Sequence, residues 1–285
     1  MAIEKVSIIG AGVMGMGIAQ ALAQQGFEVT ICDLERSILD KGLERIRRNL
    51  ESLVRKEKIT AEQAEKTVSR VKTTTSVEDV TPVDLVIEAV SENMEVKKKV
   101  FVQLDSLCPA TTILASNTST LSPTEIASVT KRPDKVIGMH WFNPAPEMRL
   151  IEVISGVETS EETVQAIIEF SRRVGKTPVR VKEAPGGIVS RILRGYLNVA
   201  VDVLAEGVAN AEDIDTAMKL GANFPMGPFE LIDLIGVDVH TINSDALAHE
   251  LGDLKYRPHA LLRKMVRAGH LGRKTGRGFY DYTKH

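Results

Sequence analysis

The most constraining feature is Gly10-Ala11-Gly12-Val13-Met14-Gly15, placed directly after the compact apolar run Lys5–Ile9 and directly before a helical pattern over 12–24. Three glycines at this spacing between a strand and a helix fit a turn built to hold a dinucleotide. Gly10 permits the tight turn, Gly12 lets backbone approach a pyrophosphate, and Gly15 lets the helix pack on the strand. The helix N-terminus, opening at Gly12, Val13 and Met14, adds free N–H groups and partial positive charge. A second β-branched run, 27–32, ends at Asp33, eighteen residues after Gly15. A carboxylate there accepts from a ribose diol and repels a 2′-phosphate, which points to NAD. Arg36 lies close enough to hold such a phosphate, so NADP stays open. A glycine-rich strand–helix turn without a ligand is the alternative.

Alternation continues to about residue 182. Helical patterns over 36–56, 61–70, 95–107, 123–128 and 161–174 separate strand-like runs over 84–90, 111–115, 135–141, 150–154 and 177–182. Such alternation predicts an α/β fold: a Rossmann-type, doubly wound, mainly parallel sheet with helices on both faces. Past Ala184-Pro185-Gly186-Gly187 only helical patterns follow (189–207, 212–220, 229–234, 238–251 and 260–268). The expected domains are therefore 1–183, dinucleotide-binding, and 184–285, all-helical. A unit of about 100 residues with several apolar helix faces often completes its burial on a second copy, so a homodimer through the C-terminal domain is expected.

Composition removes other classes. Lys+Arg is 36 and Asp+Glu 38, interleaved, so neither a nucleic-acid groove nor an acidic tail is indicated. The two cysteines, Cys32 and Cys108, exclude a disulfide scaffold and fit a reducing compartment. The six histidines lack ligand spacing, so no metal is expected. The uncharged stretch from Val6 to Phe27 resembles a signal segment, but it carries five glycines and three glutamines and follows Glu4. Neither export nor a membrane span is expected from it, and the cytoplasm is the expected address.

Two further constellations carry polar chemistry. His140 closes a predicted strand, and Glu152 lies on the next one. A turn at 143–146 would bring them together, and an imidazole held by a carboxylate has the fixed tautomer a general base needs. A core histidine satisfied by an acid explains the same spacing. Ser116-Asn117-Thr118-Ser119 follows a strand where open α/β sheets place ligands; a polar turn and N-cap before Pro123 is equally compatible. Lys56 belongs to a basic patch with Arg45, Arg47, Arg48, Arg55 and Lys58, suited to phosphates or simply solvated.

Together these motifs resemble the 3-hydroxyacyl-CoA dehydrogenase family over essentially the whole chain. The resemblance extends through Gly138-Met139-His140 with Asn143-Pro144, Glu183-Ala184-Pro185-Gly186, Asp213-Ile214-Asp215, Phe224-Pro225-Met226-Gly227-Pro228, and Gly272-Arg273-Lys274 before Gly278-Phe279-Tyr280. It implies NAD-dependent interconversion of an (S)-3-hydroxyacyl-CoA and its 3-oxoacyl-CoA, short-chain, as with 3-hydroxybutyryl-CoA and acetoacetyl-CoA. By position it implies that His140 is the general acid/base, Glu152 its orienting partner, and Ser119 a ligand of the reacting oxygen near the nicotinamide. Glu92, Lys97, Asn143 and Lys274 match cofactor contacts, and Lys56 matches a CoA contact.

The chain departs from the family at three points. The family's Pro-Gly-Phe-x-x-Asn is here Pro185-Gly186-Gly187-Ile188-Val189-Ser190, so Ser190 replaces a substrate-side Asn and Gly187 a Phe. Ser52 stands where short-chain members carry a second CoA-side lysine. Two other readings remain open on these grounds: a dehydrogenase of a non-CoA hydroxy acid, and a catalytically weak NAD-binding relative.

Overall fold

The computed structural model describes residues 3–283. The chain forms two compact units, divided between Ala184 and Pro185. The first runs β1 (Val6–Ile9), α1 (Val13–Gln24), β2 (Val29–Cys32), α2 (Arg36–Arg55), α3 (Ala61–Ser69), β3 (Val71–Thr74), β4 (Leu85–Glu88), α4 (Met94–Leu107), β5 (Ile113–Ser116), α5 (Pro123–Ala127), β6 (Val136–Trp141), β7 (Leu150–Ser155), α6 (Glu161–Arg173) and β8 (Thr177–Lys182). The eight strands form one sheet in the order β3-β2-β1-β4-β5-β6-β7-β8.

Pairing is parallel from β3 through β6, antiparallel between β6 and β7, and parallel again between β7 and β8. β1, β4, β5 and β6 are buried throughout, as expected for strands covered on both faces. One face packs mainly under α1, α2 and α6, with Ile18, Leu22, Leu39 and Phe170 at its centre. The other packs under α4 and α5 through Phe101, Leu104 and Ile126. The chain winds outward from β1 to β3, then returns to β4 on the other side of β1. In open α/β sheets such a reversal is where ligands bind, here beyond the carboxyl ends of β1 and β4.

β3 carries no sequence signal of its own. Its Val-Lys-Thr-Thr has one buried residue, because it is the polar edge of the sheet. Helix starts are legible: Asn93, Ser122 and Ser160 each cap the helix they precede by accepting a backbone N–H. α1 differs. Its N-cap is Gly12, with no side-chain cap, so its first N–H groups are left for another acceptor.

The second unit comprises α7 (Val189–Ala205), α8 (Ala211–Gly221), α9 (Pro228–Ile235), α10 (Val237–Leu251) and α11 (Ala260–Arg267), around Leu197, Val201, Phe229, Ile232 and Leu262. Two buried carboxylates hold its irregular segments. Asp215 accepts from the N–H groups of Phe229 and Glu230 at the start of α9, and from the Tyr280 hydroxyl. Asp233 accepts from the N–H groups of Phe279 and Tyr280. A third buried group joins α7 to α10. Arg194 donates to His240 Nδ1 (2.9 Å), and His240 Nε2 lies 3.0 Å from Asn198 Oδ1. Arginine only donates, so Nδ1 accepts and Nε2 carries the proton. Burial first, then Arg194, lowers the His240 pKa to about 3 and keeps the ring neutral.

Candidate active site

The dinucleotide-type turn has the geometry its glycines imply. Gly10 has φ +100°, and a β-carbon there would lie 2.6 Å from the Ala89 carbonyl oxygen of the loop after β4. A β-carbon on Gly15 would lie 1.8 Å from the Gly10 carbonyl oxygen. At Gly12 the same construction meets nothing within 4 Å. Two of the glycines are thus required by the protein's own packing, while the middle one borders open space beside the uncapped N-terminus of α1. That is where a pyrophosphate fits. Asp33, just past β2, accepts the Ala11 N–H on Oδ2 at 2.7 Å and so braces the turn. Arg36 turns to Asp40, one helical turn on, at 3.1 Å.

Two strands along, β4 ends in Glu88, a wholly buried carboxylate. It accepts from the Val90 N–H (2.8 Å), Lys97 Nζ (2.7 Å) and Ser116 Oγ (2.6 Å), tying β4, α4 and β5 together at one edge. Lys97 is fully enclosed and also pairs with Glu92 at 3.3 Å. Of the expected cofactor contacts, Lys97 is the one whose ammonium meets both Glu88 and Glu92. Glu92 in turn gathers the loop after β5. Its Oε1 accepts from Thr118 Oγ1 (2.7 Å), the Ser119 N–H (2.8 Å) and the Thr120 N–H (3.2 Å), with Ser119 Oγ at 3.3 Å. Burial alone would raise the Glu92 pKa, but Lys97 and these donors outweigh it, and the net shift is downward.

β6 delivers His140. Its antiparallel register with β7 sets His140 directly opposite Glu152. His140 Nδ1 lies 2.9 Å from Glu152 Oε2, and Glu152 is 1% exposed. Against an ionised carboxylate Nδ1 is the donor, which leaves Nε2 as the ring nitrogen not engaged by Glu152. Phe142 packs on the imidazole at a centroid distance of 4.3 Å. Asn117 closes the gap between the two loops, accepting the Trp141 N–H at 2.9 Å. Asn143 is exposed just beyond β6. Lys176 holds the connection to β7 by donating to the carbonyls of Ala145, Pro146 and Met148.

The remaining expected residues lie on other elements. Lys56 is exposed at the C-cap of α2. Ser190 sits in the first turn of α7, and Lys274 donates to both oxygens of Asp238 at 2.7 Å; both belong to the second unit. Glu88 escaped sequence reasoning, although a charged residue ending an otherwise apolar strand was its signal. Lys176 had none.

The comparisons with known proteins bear on both units. Residues 5–184 match the model of the 3-hydroxyacyl-CoA dehydrogenase NAD-binding domain, and 186–282 that of the family's C-terminal domain. The chain belongs to the 3-hydroxyacyl-CoA dehydrogenase family. It is 52% identical over 280 residues to 3-hydroxybutyryl-CoA dehydrogenase of Clostridioides difficile, covering 98% of this chain and 100% of that one. A probable 3-hydroxybutyryl-CoA dehydrogenase of Bacillus subtilis is 47% identical, over 99% and 98%. The crystal structure of (S)-3-hydroxybutyryl-CoA dehydrogenase from Ralstonia eutropha superimposes with a TM-score of 0.95 at 46% identity, covering 99% of this chain and all of that one. Membership makes the chain an NAD-dependent oxidoreductase whose first unit is the NAD-binding domain. Among the described residues, no helix is long and apolar enough to cross a membrane.

Proposed function

We propose that this protein interconverts an (S)-3-hydroxyacyl-CoA and the 3-oxoacyl-CoA with NAD, acting on the short-chain pair 3-hydroxybutyryl-CoA and acetoacetyl-CoA. The observation that carries the reading is His140, held by Glu152, on the same sheet edge as the Gly10–Gly15 turn. β1 and β6 are three strand spacings apart, roughly 14 Å, a span suited to an extended dinucleotide. When bound, the nicotinamide supplies the hydride acceptor for oxidation or, reduced, the hydride donor.

The chain's own residues handle the proton. His140 Nε2 takes the 3-hydroxyl proton as the alcohol is oxidised and returns it in the reverse direction. Glu152 fixes the tautomer through Nδ1–H and stabilises the imidazolium that forms. Ser119 Oγ donates to the reacting oxygen. Glu92, supported by Lys97, holds the Ser119 loop against the cofactor, with Asn143 and Lys274 as further cofactor contacts. Asp33 selects NAD over NADP, helped by the engagement of Arg36 with Asp40. Lys56 meets a phosphate of CoA, and Ser190 the thioester side of the substrate.

The assembly we propose is a homodimer through the helical unit, supported by exposed Ile192 and Val199 on one stripe of α7 and Ile242 on α10. The address we propose is the cytoplasm, supported by the free, buried Cys32 and Cys108, whose thiols burial pushes up to about 11.

NADH oxidation with acetoacetyl-CoA tests the reaction. The expected result is turnover with NADH, much less with NADPH, and none with free acetoacetate. Turnover of acetoacetate at a rate matching its thioester would make this a dehydrogenase of free acids. NADH binding without turnover over a series of 3-oxoacyl-CoAs would leave only a binder.

A further inference from the structure

α2 crosses α1 closely because residue 42 has no side chain. A β-carbon on Gly42 would lie 2.6 Å from Met16 Cγ. Three residues further along α2, Arg45 reaches the turn itself: its Nη2 donates to the Gly12 carbonyl oxygen at 3.0 Å. That bond engages one of the five N–H donors of a guanidinium.

The setting of Arg45 is unusual for a half-buried arginine. No carboxylate lies within ion-pairing distance of it among the described residues. Burial first, and then the neighbouring Arg48 guanidinium, both disfavour its charge. Arg45, held at a helix N-terminus with a like charge near it and no paired acid, is a cation whose cost an anion relieves. The residue whose carbonyl Arg45 holds, Gly12, is also the one with open space where a β-carbon would stand.

We infer that Arg45 is a cofactor-binding residue, adding a guanidinium from α2 to the backbone cradle for the pyrophosphate of the dinucleotide. The inference rests on the reading of the turn as an NAD site. CoA carries phosphates too, but Lys56, the proposed CoA contact, lies eleven residues along α2, about 16 Å away on the same face. Arg45 is anchored to the dinucleotide turn, and the two cations serve separate phosphates.

The test is a fluorescence titration of NADH without acyl-CoA, using wild type, Arg45→Met and Arg45→Lys. Arg45→Met keeps the aliphatic stem and removes the charge. It should weaken NADH by about five- to tenfold, with Arg45→Lys recovering part of the loss. The loss should appear equally for ADP-ribose, which has the pyrophosphate, and not for adenosine. It should shrink as salt is raised. KM for acetoacetyl-CoA at saturating NADH should stay within twofold of wild type. Unchanged NADH and ADP-ribose affinity in a folded Arg45→Met protein would overturn the inference while leaving the enzyme reading intact. A rise in acetoacetyl-CoA KM with NADH affinity unchanged would also overturn it, placing Arg45 on the substrate. A wild-type protein that binds no NADH at all would instead overturn the functional reading, and this inference with it.

Discussion

Gly15 approaches Gly10 so closely that a single β-carbon would stand 1.8 Å from the Gly10 carbonyl oxygen, whereas Gly12, midway between them, borders open space. The two kinds of glycine should fail differently. Gly15→Ala forces backbone apart and should lower the melting temperature or prevent folding. Gly12→Ala should fold with an unchanged melting temperature but bind NADH at least tenfold more weakly, because its methyl group occupies the space a phosphate would use. Thermal melts and NADH titrations on both variants check this. Tight NADH binding by Gly12→Ala would refute a pyrophosphate at that position.

The proton-handling pair makes a second prediction. His140→Gln removes the base but keeps a polar group of similar size. We expect kcat to fall by about 10²–10⁴, with the NADH Kd within a few-fold of wild type. Glu152→Gln should lower kcat less and leave KM for acetoacetyl-CoA little changed, since it weakens the orientation of a base that is still present. Stopped-flow kinetics with parallel binding titrations separates these effects. Wild-type kcat in His140→Gln would remove the histidine from the mechanism.

Lys97 should matter for stability before chemistry. It is enclosed between Glu88 and Glu92, so Lys97→Met leaves a buried carboxylate without its cation. Breaking a buried ion pair in this way costs about 3–5 kcal/mol. Chemical denaturation should report a loss of that order. The double variant Glu88→Gln/Lys97→Met should regain part of it, because the wholly buried carboxylate is then no longer left charged and alone, while Glu92 still loses its cation. The Ser119 loop should also loosen, raising the NADH KM more than it lowers kcat. Failure of the double variant to recover stability would show that Glu88 is not the group Lys97 neutralises.

His240 sets an acid limit on the helical unit. Its folded pKa of about 3 lies below its ordinary value of 6.5, so the folded state favours the neutral ring. The unfolded chain takes up the proton first as pH falls. The His240 contribution is therefore complete above about pH 6.5 and is lost progressively as pH drops towards 3. The melting temperature of the helical unit should decline over this window. In His240→Asn the decline should be shallower, even if the variant is less stable at neutral pH. Equal slopes would mean that other groups govern the acid transition.

Much of this architecture is legible in the residues. Apolar runs such as Val6–Ile9 and Leu85–Glu88 announce buried parallel strands, and Asn93, Ser122 and Ser160 mark the helix starts that separate them. β3 is not legible, because an edge strand has little to bury and Lys72, Thr73 and Thr74 read as loop. Within the site, the approach of Glu152 to His140 follows from strand order once a reversal near Asn143 is allowed. The relay from Glu88 through Lys97 to Glu92 is harder to read. It joins a strand end, a helix interior and a loop, and no local period connects positions 88, 92, 97 and 119. Arg45 is hidden for a related reason: in sequence it is one of several basic residues on α2, and only the close crossing at Gly42 sets it apart.

Because His140 and Glu152 meet as opposed residues of two strands, the proton shuttle inherits the fidelity of a hydrogen-bond ladder. Side chains alternate sides along each strand, so a slip of one residue between β6 and β7 would turn the carboxylate to the far side of the sheet. Insertions in the connecting loop can be absorbed without such a slip. An insertion inside either strand would silence the imidazole while every side chain named in the site was still present in the chain.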